Sequence, residues 1–368
     1  MKNVVVMSFL ALSCLISACS QKNSEPALKS IGGSPDFFQV TTETLPSEES
    51  SWVRPTDCRG NIAKVLCEVD PSDDWSRVLE RPCLGGEEKY KPVIEEIYDS
   101  MDDLNKGMFC SLRRIFIERE FYATGYASSV YARDEEGNGI RLPGAIMGVR
   151  KSVLETQPSF GGWATWKEQM NFTKVENEFQ APLPYPQLKT AQATPLLHYV
   201  FVHEFGHLFD YANKLNKEEL GDPTCFDRDI DTDEAYYREC KPYMAPNSWG
   251  DISWKDFLTV KPEKDFSFRS KLCFYNCESY VDVNTEMVLL YKGLSQSDFV
   301  TSYAASNHRD DFAEAWAVRW LVESQQGGLS VQASPEFEVR AEDIYNSEKF
   351  KTKRNFIEAF TKNPVLYP

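Results

Sequence analysis

Thr194-Pro195-Leu196-Leu197-His198-Tyr199-Val200-Phe201-Val202-His203-Glu204-Phe205-Gly206-His207-Leu208-Phe209-Asp210 contains the pattern His203-Glu204-x-x-His207. On a helix, residues four apart stand one above the other, so the two imidazoles share a face and can share a metal ion, with Glu204 beside them as a base. The chain has only 4 histidines, and three of them lie in this stretch. Core packing asks for neither the paired imidazoles nor the intervening Glu, so the pattern reads as a metal-binding helix before it reads as a plain buried one. Thr194 is expected as its N-cap and Pro195 as its first residue, where a missing N–H costs nothing, and the helix should run to about Asn213. His198 is turned about 140° from His203 around the helix and is expected to pack against a sheet.

Two histidines are an incomplete site, since catalytic zinc takes three protein ligands and keeps a fourth position for water. Acids suited to the third place follow Thr301-Ser302-Tyr303 in Asn307-His308-Arg309-Asp310-Asp311-Phe312-Ala313-Glu314-Ala315. Asn307 can cap a helix that ends near Gln325-Gln326-Gly327-Gly328, which places Asp310 and Glu314 on one face. One carboxylate can then bind the metal while the other orients a ligating histidine. His308, beside Arg309 in the first turn, is expected to face solvent.

His203-Glu204-Phe205-Gly206-His207, together with the downstream Thr301-Ser302-Tyr303, Asn307 and Phe312-Ala313-Glu314-Ala315, resembles the catalytic domain of anthrax-toxin lethal factor and its family of bacterial gluzincin-type zinc peptidases. The match covers a minor part of the chain, but both ligand-bearing helices take part. The resemblance implies an α+β, zincin-like fold: a small twisted sheet with an edge strand over the cleft, the histidine helix and a second ligand-bearing helix. It implies one Zn2+ per chain on His203, His207 and Asp310, with Glu204 as general base, Tyr303 as oxyanion donor and Glu314 as the acid behind a histidine. Asp310 is one methylene shorter than the glutamate of the family, and Glu314 is the rival third ligand. The segment between His207 and Asp310 is also longer than in lethal factor. A metzincin is excluded by Asp210 and Asn213, which stand where Gly and His are required. Gly144-Ala145-Ile146-Met147-Gly148 resembles the start of an aminopeptidase substrate strand but lacks its acid, which favours an endopeptidase.

The rest of the chain frames this pair of helices. At 368 residues, 42% hydrophobic and 13% aromatic, it can bury a large core. A formal charge of −16 without a basic stripe speaks against nucleic acid as a partner. Residues 1–18 have the charged-then-apolar layout of an export signal, and Ile16-Ser17-Ala18-Cys19 resembles a bacterial lipobox. Cys19 is therefore the expected lipidation site, with Ser20 after it favouring the outer membrane, and 19–51 reads as a flexible tether. Cys58, Cys67, Cys83 and Cys110 precede the histidine helix and Cys225, Cys240, Cys273 and Cys277 follow it. In an exported protein they suggest disulfides of unspecified connectivity.

Region 52–112 reads as a small helical, cysteine-containing subdomain whose longer helix spans about Glu87 to Leu112. The peptidase domain is then 113–368. Its strands are expected around Ile115–Ile117, Ala127–Ala132 and Ile140–Val153, with Gly144, Ala145, Ile146, Met147 and Gly148 either an edge strand for extended substrate or an interior strand. Phe160 to Thr194 reads as a long loop, about 218–277 as a cysteine-bearing insertion that could cover the cleft, and Val281 to Gly293 as a helix. Taken together these features point to a lipid-anchored zinc metalloendopeptidase acting on a peptide or protein. The competing expectation is a catalytically inactive lipoprotein of peptidase fold that binds or supports the cell envelope.

Overall fold

The computed structural model describes residues 40–42, 52–71, 79 and 81–366, apart from 122, 134–138, 176–178, 192–193, 220, 222–239, 257–258, 275–276, 278 and 325–326. The N-terminal half holds β1 (Val40–Thr42), α1 (Cys58–Val65), β2 (Leu66–Val69), α2 (Lys91–Ser100), α3 (Asp103–Phe109), β3 (Leu112–Glu118), β4 (Gly125–Arg133), β5 (Gly139–Arg150), α4 (Lys151–Thr156) and α5 (Phe160–Gln169). Next come β6 (Gln187–Thr190), α6 (Leu196–Asn213), β7 (Glu218–Glu219), β8 (Tyr243–Met244), α7 (Trp249–Ser253) and α8 (Met287–Leu294). The chain closes with α9 (His308–Glu323), β9 (Leu329–Ser334), β10 (Phe337–Arg340), α10 (Ala341–Asn346) and α11 (Lys351–Thr361). The fold is α+β, with a small mixed sheet and disulfide-bonded cysteines.

The main sheet runs β1-β4-β5-β3-β2, with β4 antiparallel to β5 and the other pairs parallel. β5 is therefore interior, and Gly144–Gly148 is not an edge strand. The reason is visible in its side chains: Ala145 and Met147 join the cluster that holds α6, while Ile146 joins the cluster on the opposite face with Phe116 and Val130. A strand buried on both faces and bonded to two neighbours has no free edge to offer. β4 is the strand that meets the histidine helix, because an added Cβ at Gly125 would lie 3.2 Å from Val200 Cγ1 and 3.3 Å from Glu204 Oε1.

Several further expectations change. Part of the expected tether is a strand, since β1 pairs Val40–Thr42 with Val130–Ala132. The signal segment and Cys19 lie outside the described residues. Region 52–112 is not a separate cap: β2 pairs with β3 in the main sheet, and Phe109 packs on Phe201 and Phe205 of α6 at ring distances of 5.9 and 5.1 Å. Its long helix is broken at Met101, because Asp102 turns its carboxylate back to accept from Asn105 N and so starts α3 afresh. The supposed loop 160–194 contains α5, capped by Ser159, and β6, which pairs with β9 in a second sheet, β10-β9-β6. Val281 to Gly293 is helical only from Met287, since Asp282 first closes a turn onto Asn284 and Thr285.

The disulfides Cys58–Cys110, Cys67–Cys83 and Cys273–Cys277 stay within the two sequence groups. The described part of the insertion is core material instead of a cover. Trp249 packs on Phe312 of α9, and Trp254 donates Nε1 to Asp311 Oδ2 at 3.0 Å, both indoles being fully buried. Burying a large apolar side chain contributes about 1.5–3 kcal/mol, so these two anchors matter to the stability of α9. Among the described residues no helix is long and apolar enough to cross a membrane.

Candidate metal centre

α6 is apolar nearly all round and buried along most of its length, so its few polar side chains stand out against a packed background. The helix begins at Leu196, one residue later than expected. Pro195, in place of the expected Thr194, is the extended residue before the first turn, and its carbonyl accepts from His198 N at 3.1 Å. The helix then crosses α9 with almost no side chain between the backbones: an added Cβ at Gly206 would come within 2.8 Å of Ala313 Cα. His203 and His207 flank Gly206 just as Asp310 and Glu314 flank Ala313, by three residues before and one after. The close crossing therefore brings both pairs to one side.

The resulting contacts are compact. His203 Nε2 and His207 Nε2 are 3.2 Å apart, and Asp310 Oδ1 lies 3.5 Å from the first and 3.4 Å from the second. These three residues form a group able to hold a metal ion. Tetrahedral ligands at zinc distances of 2.0–2.1 Å would be separated by about 3.3–3.4 Å, which is the spacing found here. Asp310 Oδ1 is buried and makes no hydrogen bond among the described residues, and two imidazole nitrogens facing each other at this range need a cation or a shared proton between them.

Neighbouring groups hold these ligands in place. Glu314 Oε1 lies 2.9 Å from His203 Nδ1, an ion-pair contact outside hydrogen-bond geometry that favours a proton on Nδ1 and leaves Nε2 facing the centre. Glu314 Oε2 accepts from Thr301 Oγ1 at 2.6 Å. Asn307 does two jobs: Oδ1 accepts from Arg309 N and Asp310 N to cap α9, and Nδ2 donates to Asp310 Oδ2 at 2.6 Å. Asp310 is thus the inner acid and Glu314 the outer one. Asp310 belongs to the first turn of α9, and Asn307 fixes one of its oxygens while the other faces the histidines.

Charge follows this geometry. Burial alone would lower the pKa of His203, but Asp310 and Glu314 raise it to about 9. Burial would raise that of Asp310, yet the two histidines hold it well below the usual carboxylate range. Glu204 shifts upward because it is buried, despite the nearby histidines, and so is a better proton acceptor than an exposed carboxylate.

Tyr303 is buried against the site, its ring 5.9 Å from that of His203 and edge-on to Phe274 at 4.8 Å. Gly144–Gly148 is remote from this role, being sheet interior. His308 is fully buried beneath Trp254 at 6.5 Å, contrary to the expected exposure, because the insertion covers the start of α9; burial pushes its pKa well down. His198 is buried as expected but faces Trp320 of α9 at 6.4 Å. Three contributors went unread in the sequence: Thr301, the Gly206–Ala313 contact, and Lys167 of α5, whose Nζ stands 3.2 Å from the Tyr303 ring centroid. The Asn307 cap and a hydroxyl near an acid are weak local signals, and Lys167 gave none. Compared with family models, with curated proteins and with solved structures, the chain matches none of them.

Proposed function

We propose that this chain is a zinc-dependent metalloendopeptidase with a zincin-like site, held at the cell envelope by lipid on Cys19. The observation that carries the reading is the triangle of His203 Nε2, His207 Nε2 and Asp310 Oδ1, with edges of 3.2 to 3.5 Å, on a helix that also bears buried Glu204. The donor set, two imidazoles and a carboxylate, is that of a hydrolytic zinc site with room for one more ligand. Zinc, when bound, supplies Lewis acidity toward water and toward a substrate carbonyl.

The protein's own groups do the remainder. His203 and His207 present Nε2 lone pairs, and Glu314 keeps the His203 ring in that tautomer. Glu204, next to the second ligand-bearing turn and raised in basicity by burial, takes the proton of the attacking water and returns it to the leaving amine. Tyr303, beside His203, donates to the developing oxyanion.

The purified, lipid-free chain should bind one zinc, measured by elemental analysis, and should cleave an unfolded protein in a manner reversed by chelation. Glu204→Gln should keep its zinc and lose about 10²–10⁴-fold in kcat. A Gln variant with full zinc and full activity would remove Glu204 from the reaction. Intact protein that takes up no zinc would favour a binding or structural role.

A further inference from the structure

Next to the triangle is a small half-open cavity of about 30 Å³, lined among others by Lys167, Glu168, Thr301, Tyr303 and Glu314. Glu314 joins the two places: it walls the cavity and also contacts His203. Most of the remaining wall is apolar or aromatic, with Phe160, Trp163 and Leu188. A half-open cavity of this size admits a small polar group, such as the carboxylate end of a substrate side chain, beside the reacting bond.

Lys167 is the unusual member. Its Nζ lies 3.2 Å from the ring centroid of Tyr303 and 5.2 and 5.8 Å from those of Trp163 and Phe274. Among the described residues it makes no hydrogen bond and no ion pair, and the half-buried side chain has ring faces as its nearest neighbours. The acids that share the cavity are already engaged: Glu168 accepts from Tyr291 and Ser302, and Glu314 from Thr301. Burial pulls the ammonium pKa down while Glu314, Asp310, Glu168 and Glu204 oppose that, so the group is partly desolvated and keeps anionic surroundings at a distance. A partly desolvated cation with unspent donors gains from a charged acceptor brought in from outside.

We infer that Lys167 determines specificity by receiving a carboxylate of the substrate, held next to the scissile bond in the aromatic-walled cavity. The inference rests on the hydrolase reading and names the substrate class for it: peptides with an acidic group adjacent to the cleaved bond. That carboxylate can come from an Asp or Glu side chain or from the end of the peptide chain, and the two are separable by capping.

The test uses zinc-loaded protein and hexapeptides that differ at one position, Glu, Gln or Lys, each with a free or an amidated C-terminus. The Glu peptide should exceed the Gln peptide about 10- to 100-fold in kcat/KM, as expected for one charge-assisted hydrogen bond. Lys167→Met should abolish that difference with zinc content and Tm preserved, Lys167→Arg should restore it, and Lys167→Glu should turn the preference toward Lys. A preference that survives amidation assigns the side chain as the source; one that vanishes assigns the chain end. The same peptides are titrated against zinc-loaded Glu204→Gln protein, so the preference is read as affinity even without turnover. Equal handling of Glu and Gln peptides, or a preference untouched by Lys167→Met, overturns the inference. Absence of cleavage with selective binding intact counts against the hydrolase reading alone.

Discussion

Asn307 shows how much one short side chain can settle. Its Oδ1 caps α9 and its Nδ2 holds Asp310 Oδ2 at 2.6 Å. Asn307→Ala should therefore lower stability by about 1 kcal/mol through the lost cap. It should also weaken zinc by about 10- to 100-fold through the freed carboxylate. Thermal melts and a competition titration with a coloured chelator measure the two effects separately; a normal zinc affinity would deny Asn307 its second role. His203 carries the pH dependence. In the metal-free protein its pKa is raised from 6.5 to about 9. The associated stability is fully present below pH 6.5 and is lost as pH rises through about 9. Zinc at pH 7.5 must displace that proton, so its affinity should rise with pH up to about 9. Calorimetry in buffers of different ionisation enthalpy should reveal proton release, and a buffer-independent heat would contradict it.

At the scale of elements, the crossing of α6 over α9 is what converts two sequence motifs into one centre. Gly206→Ala puts a Cβ 2.8 Å from Ala313 Cα, where the obstacle is backbone and cannot swing aside. A cost of about 1–3 kcal/mol is expected, with a loss of zinc affinity, because the helices must separate at the point that aligns the ligands. Comparing zinc affinity in Gly206→Ala with that in an equally destabilised variant far from the crossing decides whether the effect is local. Helix phase made His203, Glu204, His207 and the Asp310–Glu314 face legible in the sequence, since each depends only on spacing within one element. Lys167 was not legible. It sits in a helix whose Gly161-Gly162 start suggested a loop, and only the fold brings it to Tyr303. The interior place of β5 was hidden for a related reason: a short apolar run fits an edge or a central strand until its neighbours are known.

For the molecule as a whole, the disulfides divide between holding the chain and holding the site. Cys58–Cys110 spans 52 residues and ties α1 to the turn after α3. In the chain-entropy treatment it contributes about 4 kcal/mol. Cys273–Cys277 spans 4 residues, and a loop that short contributes only about 2 kcal/mol. Yet it encloses Phe274, which packs on Tyr303 and lines the cavity. Replacing the first pair by Ser should lower Tm about twice as much as replacing the second. Replacing the second should change kcat/KM with only the smaller of the two drops in Tm. An equal drop in Tm for both would show that the small loop is part of the global fold. The insertion follows the same division: its length hinted at a lid, whereas Trp249 and Trp254 are buried under α9 and serve as a foundation.

The direct backbone contact between Gly206 and Ala313 also bears on which ions the protein can choose. With no side chain between the helices to change rotamer, the ligand triangle cannot expand cheaply from its 3.2 to 3.5 Å edges. Magnesium, octahedral at about 2.0–2.1 Å, would ask for tighter edges of about 2.9 Å, and calcium would ask for six to eight oxygens in place of two imidazole nitrogens. Cobalt(II), close to zinc in size, should enter and give a tetrahedral visible spectrum, while calcium and magnesium should leave the protein unchanged. The crossing thus holds the ligands at a tetrahedral spacing, and the two imidazoles then select against ions that need oxygen ligands.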